Sequence, residues 1–282
     1  MKKSINAWTF PDAYTFEDCV LAASAAGIDA IEWNVDKAGK SAHSFSLETT
    51  EAEMIEVLEL CKKHGITPVS ISSSMHGGMW ARTEPETVAL AMQVLEQQLK
   101  IAKTLGADTI LLVPGGMRDG MKLSESRKNS IANLKNAIPM IRKYGVKVGL
   151  ENVWNGFFLS PYDMLSFIDE LGCELFGAYY DLGNMVAFSD TTNWTDVVAP
   201  KTFKIHIKDF KRNGGINRGG TFCQLLEGDV DFKGAMRQLR EAGFDGYLTA
   251  EVFKSDDNMS YPDYFKSIAD AEEIIIGYYN EQ

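Results

Sequence analysis

The chain has 282 residues, 45% of them apolar, and its 39 acidic and 28 basic groups give a net charge of -11. That length is ordinary for a single α/β barrel domain over residues 1–282, and the apolar share supports a large core without disordered stretches. The acidic balance argues against nucleic acid as the main partner, because a phosphate-backbone binder presents a basic face.

In chain order, Met1-Lys2-Lys3 has the charge of a signal peptide, but Asn6, Thr9, Pro11 and Asp12 interrupt before any apolar run. A recurring unit then follows: an amphipathic helix, a glycine, and a β-branched run. It shows as Ala26-Gly27-Ile28, His64-Gly65-Ile66, Leu105-Gly106-Ala107, Tyr144-Gly145-Val146, Leu171-Gly172-Cys173 and Ala242-Gly243-Phe244. Glycine just past a helix end takes the left-handed conformation without a Cβ penalty. The first four units are separated by 38, 41 and 39 residues, the length of one helix plus one strand. Strand–helix alternation of this kind implies a parallel sheet.

Eight strands are predicted. The first four are Ser4 to Trp8, Ala30 to Asn34, Thr67 to Ser72 and Thr109 to Val113, and the rest end at Glu151, Asp181, Ile207 and Glu251. Between them, Thr50 with Glu53 makes a capping box, and Ser160-Pro161 places a capping hydroxyl and a first-turn proline. Val88, Met92, Leu95, Leu99 and Ala102 form one apolar stripe, and Tyr264, Ile268, Ala271 and Ile275 form another. Both stripes are core. No Gly-x-Gly-x-x-Gly follows the first strand, so a closed (β/α)8 TIM barrel fits better than an open dinucleotide-binding sheet.

No segment has the roughly 18 apolar residues that span a bilayer, so no membrane partner is expected. Cys19, Cys61, Cys173 and Cys223 are far apart and read as reduced thiols of a cytoplasmic protein.

Barrel catalytic groups sit at the C-terminal strand ends. Glu151, Asp181, His206 and Glu251 all hold such positions, so one imidazole and three carboxylates converge on one point, a site for a divalent metal. Like charges this close repel unless a cation neutralises them. A metal does so economically; ion pairing with Arg118, Lys208 or Arg212 is the competing account. His76, after the third strand, either faces the same mouth and contacts substrate or is a loop residue. The glycine-rich stretch from Arg212 to Gly220, with Arg218, either offers backbone N–H groups to a phosphate or forms a solvated lid. Trp8, Trp33 and Trp154 either wall a sugar ring or close the core.

Leu150-Glu151-Asn152, Tyr180-Asp181-Leu182-Gly183-Asn184, His206-Ile207-Lys208-Asp209, Glu227-Gly228-Asp229-Val230-Asp231-Phe232 and Thr249-Ala250-Glu251 follow one another in a familiar order. In these motifs the chain resembles the sugar phosphate isomerase/epimerase family, the xylose-isomerase-like barrels. Within it, the chain looks closest to the L-ribulose-5-phosphate 3-epimerase and hexulose-6-phosphate isomerase-like proteins. The resemblance implies metal ligands at Glu151, Asp181, His206 and Glu251. It also implies an arginine contact to substrate at Arg212. Asn184 stands where the ketose 3-epimerases often have a histidine, and Phe157 where they have a glutamate. The endonuclease branch needs more histidines than the four present.

The expected chemistry is proton transfer next to the carbonyl of a sugar or sugar phosphate through an enediolate, with Glu151 and Glu251 as acid and base. Mn²⁺ suits an oxygen-rich site best, with Mg²⁺, Co²⁺ or Zn²⁺ as alternatives. The same ligands serve epimerisation, isomerisation, or an inosose-dehydratase-like loss of water. A non-catalytic sugar-binding barrel is the remaining alternative. Exposed barrel helices of this kind often pair, so a homo-oligomer is also compatible with the sequence.

Overall fold

A computed structural model of the chain describes residues 1–117 and 120–281. Arg118 therefore lies outside the described residues. The eight strands of the barrel are β1 (Lys2–Asn6), β2 (Ala30–Val35), β3 (Thr67–Ser73), β4 (Thr109–Leu112), β5 (Lys147–Glu151), β6 (Phe176–Asp181), β7 (Thr202–Ile207) and β10 (Tyr247–Ala250). All neighbours pair in parallel, and β10 closes the ring on β1. Among the described residues, no helix is long and apolar enough to cross a membrane.

Helices α1 (Phe16–Ala26), α2 (Glu51–His64), α3 (Pro85–Leu105), α4 (Leu123–Tyr144), α5 (Pro161–Leu171), α6 (Thr191–Val198), α7 (Phe232–Glu241) and α8 (Tyr261–Asn280) alternate with the strands. The expected capping box at Thr50 and capping hydroxyl at Ser160 are present, and Ser160 forms a full box with Asp163. Gly27, Gly65, Gly106, Gly145 and Gly172 each end a helix at positive φ. Leu95, Leu99 and Ala102 of the α3 stripe are buried, as are all four residues of the α8 stripe. The four cysteines are unpaired thiols.

Two expectations change. The first strand begins and ends two residues earlier, because the Asn6 side chain accepts a bond from Trp8 N and starts a 3₁₀ turn at Ala7–Thr9. The glycine-rich stretch after β7 belongs to a hairpin of β8 (Asp209–Arg212) and β9 (Gly220–Cys223), paired antiparallel from Asp209–Cys223 to Arg212–Gly220. This hairpin stands over the C-terminal mouth of the barrel. The Asp209 carboxylate holds it by accepting from the backbone N–H groups of Phe210 (2.9 Å), Gly228 (2.8 Å) and Val230 (3.2 Å).

Candidate functional site

Strand pairing places the four candidate ligands. His206 is in register with Asp181 on β6 and with Thr249 on β10, two residues before Glu251, and Glu151 ends the next strand beyond β6. Alternation along a strand turns every second side chain inward. One ligand atom from each of Glu151, Asp181, His206 and Glu251 lies within 4.8 Å of all the others, and all four residues are buried.

Secondary interactions fix these groups. Asn152 donates from Nδ2 to the Asp181 carbonyl and accepts from Asp181 N through Oδ1, both at 2.9 Å. Asp181 Oδ1 accepts from the N–H groups of Gly183 and Asn184, both at 2.8 Å. That leaves Oδ2 buried without a well-aligned hydrogen bond, 3.2 Å from Lys208 Nζ. His206 turns Nε2 to Glu32 Oε1 at 2.6 Å, and its Nδ1 lies 3.2 Å from Glu151 Oε1 and 3.0 Å from Glu251 Oε2. Glu32 is itself fully buried and also accepts from Asn6 Nδ2 (2.5 Å), Ser70 Oγ (2.6 Å) and the Tyr179 hydroxyl.

Four carboxyl groups thus surround one imidazole and the Lys208 ammonium, which lies 3.0 Å from Glu251 Oε2. Protons adjust the balance. Burial works against a charged imidazole, but Glu32 and Glu251 outweigh it and hold His206 protonated well above its ordinary range. Burial pushes Glu151 up to about 7, against the pull of His206 and Lys208. For Glu251 burial is outweighed by Lys208 and His206, and its carboxyl is held low, at about 2. Three carboxyl groups, with Asp181 Oδ2 among their oxygens, and one imidazole nitrogen form a donor set that fits a divalent cation.

A cavity of about 850 Å³ opens above this cluster, with Glu151, Glu251 and Lys208 in its wall. Trp154 and Asn184 also line it; Trp154 Nε1 donates to the Asn184 carbonyl, and Asn184 Nδ2 donates to the Asn152 carbonyl (2.9 Å). His76 is in the wall, yet both ring nitrogens are used internally: Nε2 faces Gln98 Oε1 (2.6 Å) and Nδ1 accepts from Trp80 Nε1 (3.0 Å). Arg212 does not line the cavity. Its guanidinium donates to the Val186 carbonyl (2.7 Å), the Ser189 carbonyl (2.5 Å) and Asp190 (3.0 Å), which fastens the hairpin instead. Arg218 is exposed on the hairpin turn and is also absent from the cavity wall. Of the three tryptophans, Trp8 and Trp154 line the cavity. Trp33 is fully buried against Phe16, with ring centroids 5.1 Å apart.

Sequence reasoning missed Glu32. The signal available was an acidic residue inside a predicted buried strand, sharing an inward face with Ala30 and Asn34.

The chain is an eight-stranded parallel barrel with a buried Glu–Asp–His–Glu cluster at the C-terminal ends of its strands, a grouping whose chemistry fits a divalent cation. The chain belongs to the Xylose isomerase-like TIM barrel family, which it matches over residues 20–273. It is 22% identical over 211 residues to UlaE of Mycoplasma pneumoniae, named a probable L-ribulose-5-phosphate 3-epimerase, covering 74% of this chain and 67% of that one. An uncharacterized protein of Methanocaldococcus jannaschii, MJ1311, is 21% identical over 168 residues, 57% of this chain and 56% of that relative. Among solved structures, an IolI protein with a bound zinc atom superposes with a TM-score of 0.81 at 16% identity over the full length of both chains. An L-ribulose 3-epimerase superposes with a TM-score of 0.76 at 18% identity, over 99% of this chain and 94% of that one.

Proposed function

We propose that the protein is a divalent-metal-dependent epimerase or isomerase that moves a proton next to the carbonyl of a ketose or ketose phosphate. The observation that carries this reading is the placement of Glu151 and Glu251. Both carboxyls sit beside His206 Nδ1, at 3.2 and 3.0 Å, and both face the same cavity. Glu151, Asp181, His206 and Glu251 would hold the ion, and the oxygen-rich donor set favours Mn²⁺. When bound, the ion supplies Lewis-acid stabilisation of the negative charge that develops on the substrate oxygens.

The side chains do the rest. Glu251, with the Lys208 ammonium 3.0 Å from its Oε2, takes the proton from the carbon beside the carbonyl. Glu151, whose Oε1 lies 3.2 Å from His206 Nδ1, relays a proton from solvent back to the substrate. Return to the same carbon from the other face inverts that centre, and return to the neighbouring carbon exchanges ketose for aldose. Trp154 and the hairpin residue Phe222 wall the cavity. The similarity to UlaE and the fold shared with an L-ribulose 3-epimerase support a sugar as substrate.

The test is incubation of ketoses and ketose phosphates in D₂O with Mn²⁺. Deuterium should enter the carbon next to the carbonyl with the native chain and fall by about 10²–10⁴-fold in Glu251→Gln. A product lighter by one water would point to a lyase. Binding without deuterium uptake would leave a sugar-binding barrel.

A further inference from the structure

We propose that the substrate is longer than one sugar, and that an outer subsite between Trp8, Phe253 and Tyr261 holds a second sugar ring attached to the ketose. This rests on the reading of the inner site given above. The inner cavity measures about 850 Å³. A ketohexose displaces the volume of about six waters, on the order of 200 Å³. One sugar at the carboxylate cluster therefore leaves most of the space unfilled.

Part of the unfilled space leads outward past Phe253. A second cavity of about 570 Å³ shares Trp8, Ser74, Phe253 and Lys254 with the first and continues to Tyr261, Asp12 and Lys40. Phe253 lies two residues beyond Glu251, so the chain that supplies the catalytic carboxylate also carries the junction between the cavities. Phe253 is 63% exposed. On its loop it lines both cavities and offers a ring face to a ligand in the groove.

The other two aromatic residues are held in place before any ligand arrives. Trp8 Nε1 donates to Asp36 Oδ2 at 3.0 Å. Tyr261 packs on Tyr14 and Phe265 with centroid separations of 6.0 and 5.9 Å. Preorganised rings lose little freedom on binding. Asp12, Lys40 and Lys254 also line the groove, and Lys254 Nζ lies over the Tyr261 ring, 5.4 Å from its centroid. Apolar rings interleaved with charged groups match a sugar ring, which has C–H faces and a hydroxyl rim, better than a purely apolar group.

The experiment measures binding and deuterium uptake by the Mn²⁺-loaded full chain. The probes are D-fructose, D-fructose 6-phosphate and three fructose-terminated disaccharides, lactulose, isomaltulose and turanose. At least one disaccharide should bind tenfold or more tightly than D-fructose, a gain of about 1.4 kcal/mol. That gain should disappear in Phe253→Ala and in Tyr261→Ala, with urea melts of both variants checking that the fold is kept.

The proposal is overturned by any of three results. In the first, no disaccharide exceeds D-fructose, or D-fructose 6-phosphate exceeds them all. In the second, the disaccharide advantage survives in both variants. In the third, sedimentation finds a dimer that Phe253→Ala dissociates, which makes the rim a subunit interface. A disaccharide preference without deuterium uptake from any ketose would leave the outer subsite standing and remove the reading of the inner one.

Discussion

His206 and Glu32 face each other at 2.6 Å in the barrel interior, Nε2 to Oε1, although 174 residues separate them in sequence. This contact commits Nε2 to donating and leaves Nδ1 for the Glu151–Glu251 side. A carboxylate behind a metal-binding imidazole fixes its tautomer and orientation, and losing it typically costs 10–100-fold in metal affinity. Glu32→Gln should therefore weaken Mn²⁺ binding by about that factor in calorimetric titration. Unchanged affinity would mean that the barrel wall alone orients His206.

Cation binding should release protons. Without an ion, His206 is held protonated by its carboxylate neighbours and Glu151 is pushed up to about 7 by burial. A ligand must lose its proton to bind, so affinity rises with pH through the neutral range and falls below it. Titrations of Mn²⁺ in buffers of different ionisation enthalpy should show net proton release near pH 6.5. On the proposed function the folded chain alone holds the ion, so excess Mn²⁺ at about 100 times its Kd should add about 2.7 kcal/mol of stability, and a chelator should remove it. Heats that do not depend on the buffer would contradict the proton count.

The ligand cluster was legible because each member closes an apolar β-run, and barrel topology brings such ends to one mouth. Glu151, Asp181, His206 and Glu251 needed no knowledge of side-chain contacts. Glu32 did. Its role depends on a partner across the barrel interior, and strand alternation says only that it points inward. Arg212 shows the opposite limit. The family resemblance implied a substrate contact there, but the carbonyls of Val186 and Ser189 lie within reach and take its donors. The hairpin was hidden because β8 and β9 have four residues each, too few to show an alternating pattern. Trp8 and Trp33 looked equivalent in sequence; packing against Phe16 and Phe45 makes Trp33 core.

The hairpin should depend on Gly228. A Cβ there would sit 2.0 Å from Asp209 Oδ1 and 2.7 Å from Phe210 N, in the middle of the bonds that anchor β8. Alanine forces the buried Asp209 carboxylate away from its backbone donors and leaves them without an acceptor. The expected cost of Gly228→Ala is about 1–3 kcal/mol in urea unfolding. Faster amide exchange across Asp209–Cys223 and a higher KM should accompany it, since Phe222 on β9 walls the cavity. A stability change within about 0.5 kcal/mol, the range of an ordinary surface substitution, would show that the loop relaxes freely.

Acid should destabilise the fold through His76. Burial holds its imidazole down at about 4, from an ordinary 6.5, and the bond to Gln98 only partly offsets this. Gln98 Nε2 donates to the carbonyls of Ile71 (3.2 Å) and Leu111 (3.1 Å), so its Oε1 accepts from His76 Nε2–H. His76 Nδ1 is then left to accept from Trp80, and a second proton would set two donors against each other. The folded value lies below the unfolded one. Between pH 6.5 and 4 the unfolded chain therefore binds more protons, and stability falls as pH falls. This contribution is complete above pH 6.5 and is lost by pH 4, amounting to about 3 kcal/mol at 1.36 kcal/mol per unit. Urea melts of the native chain and of His76→Gln across that range should diverge by about this amount, with the native chain showing the steeper loss. Parallel profiles would show that His76 takes up its proton without leaving the folded state.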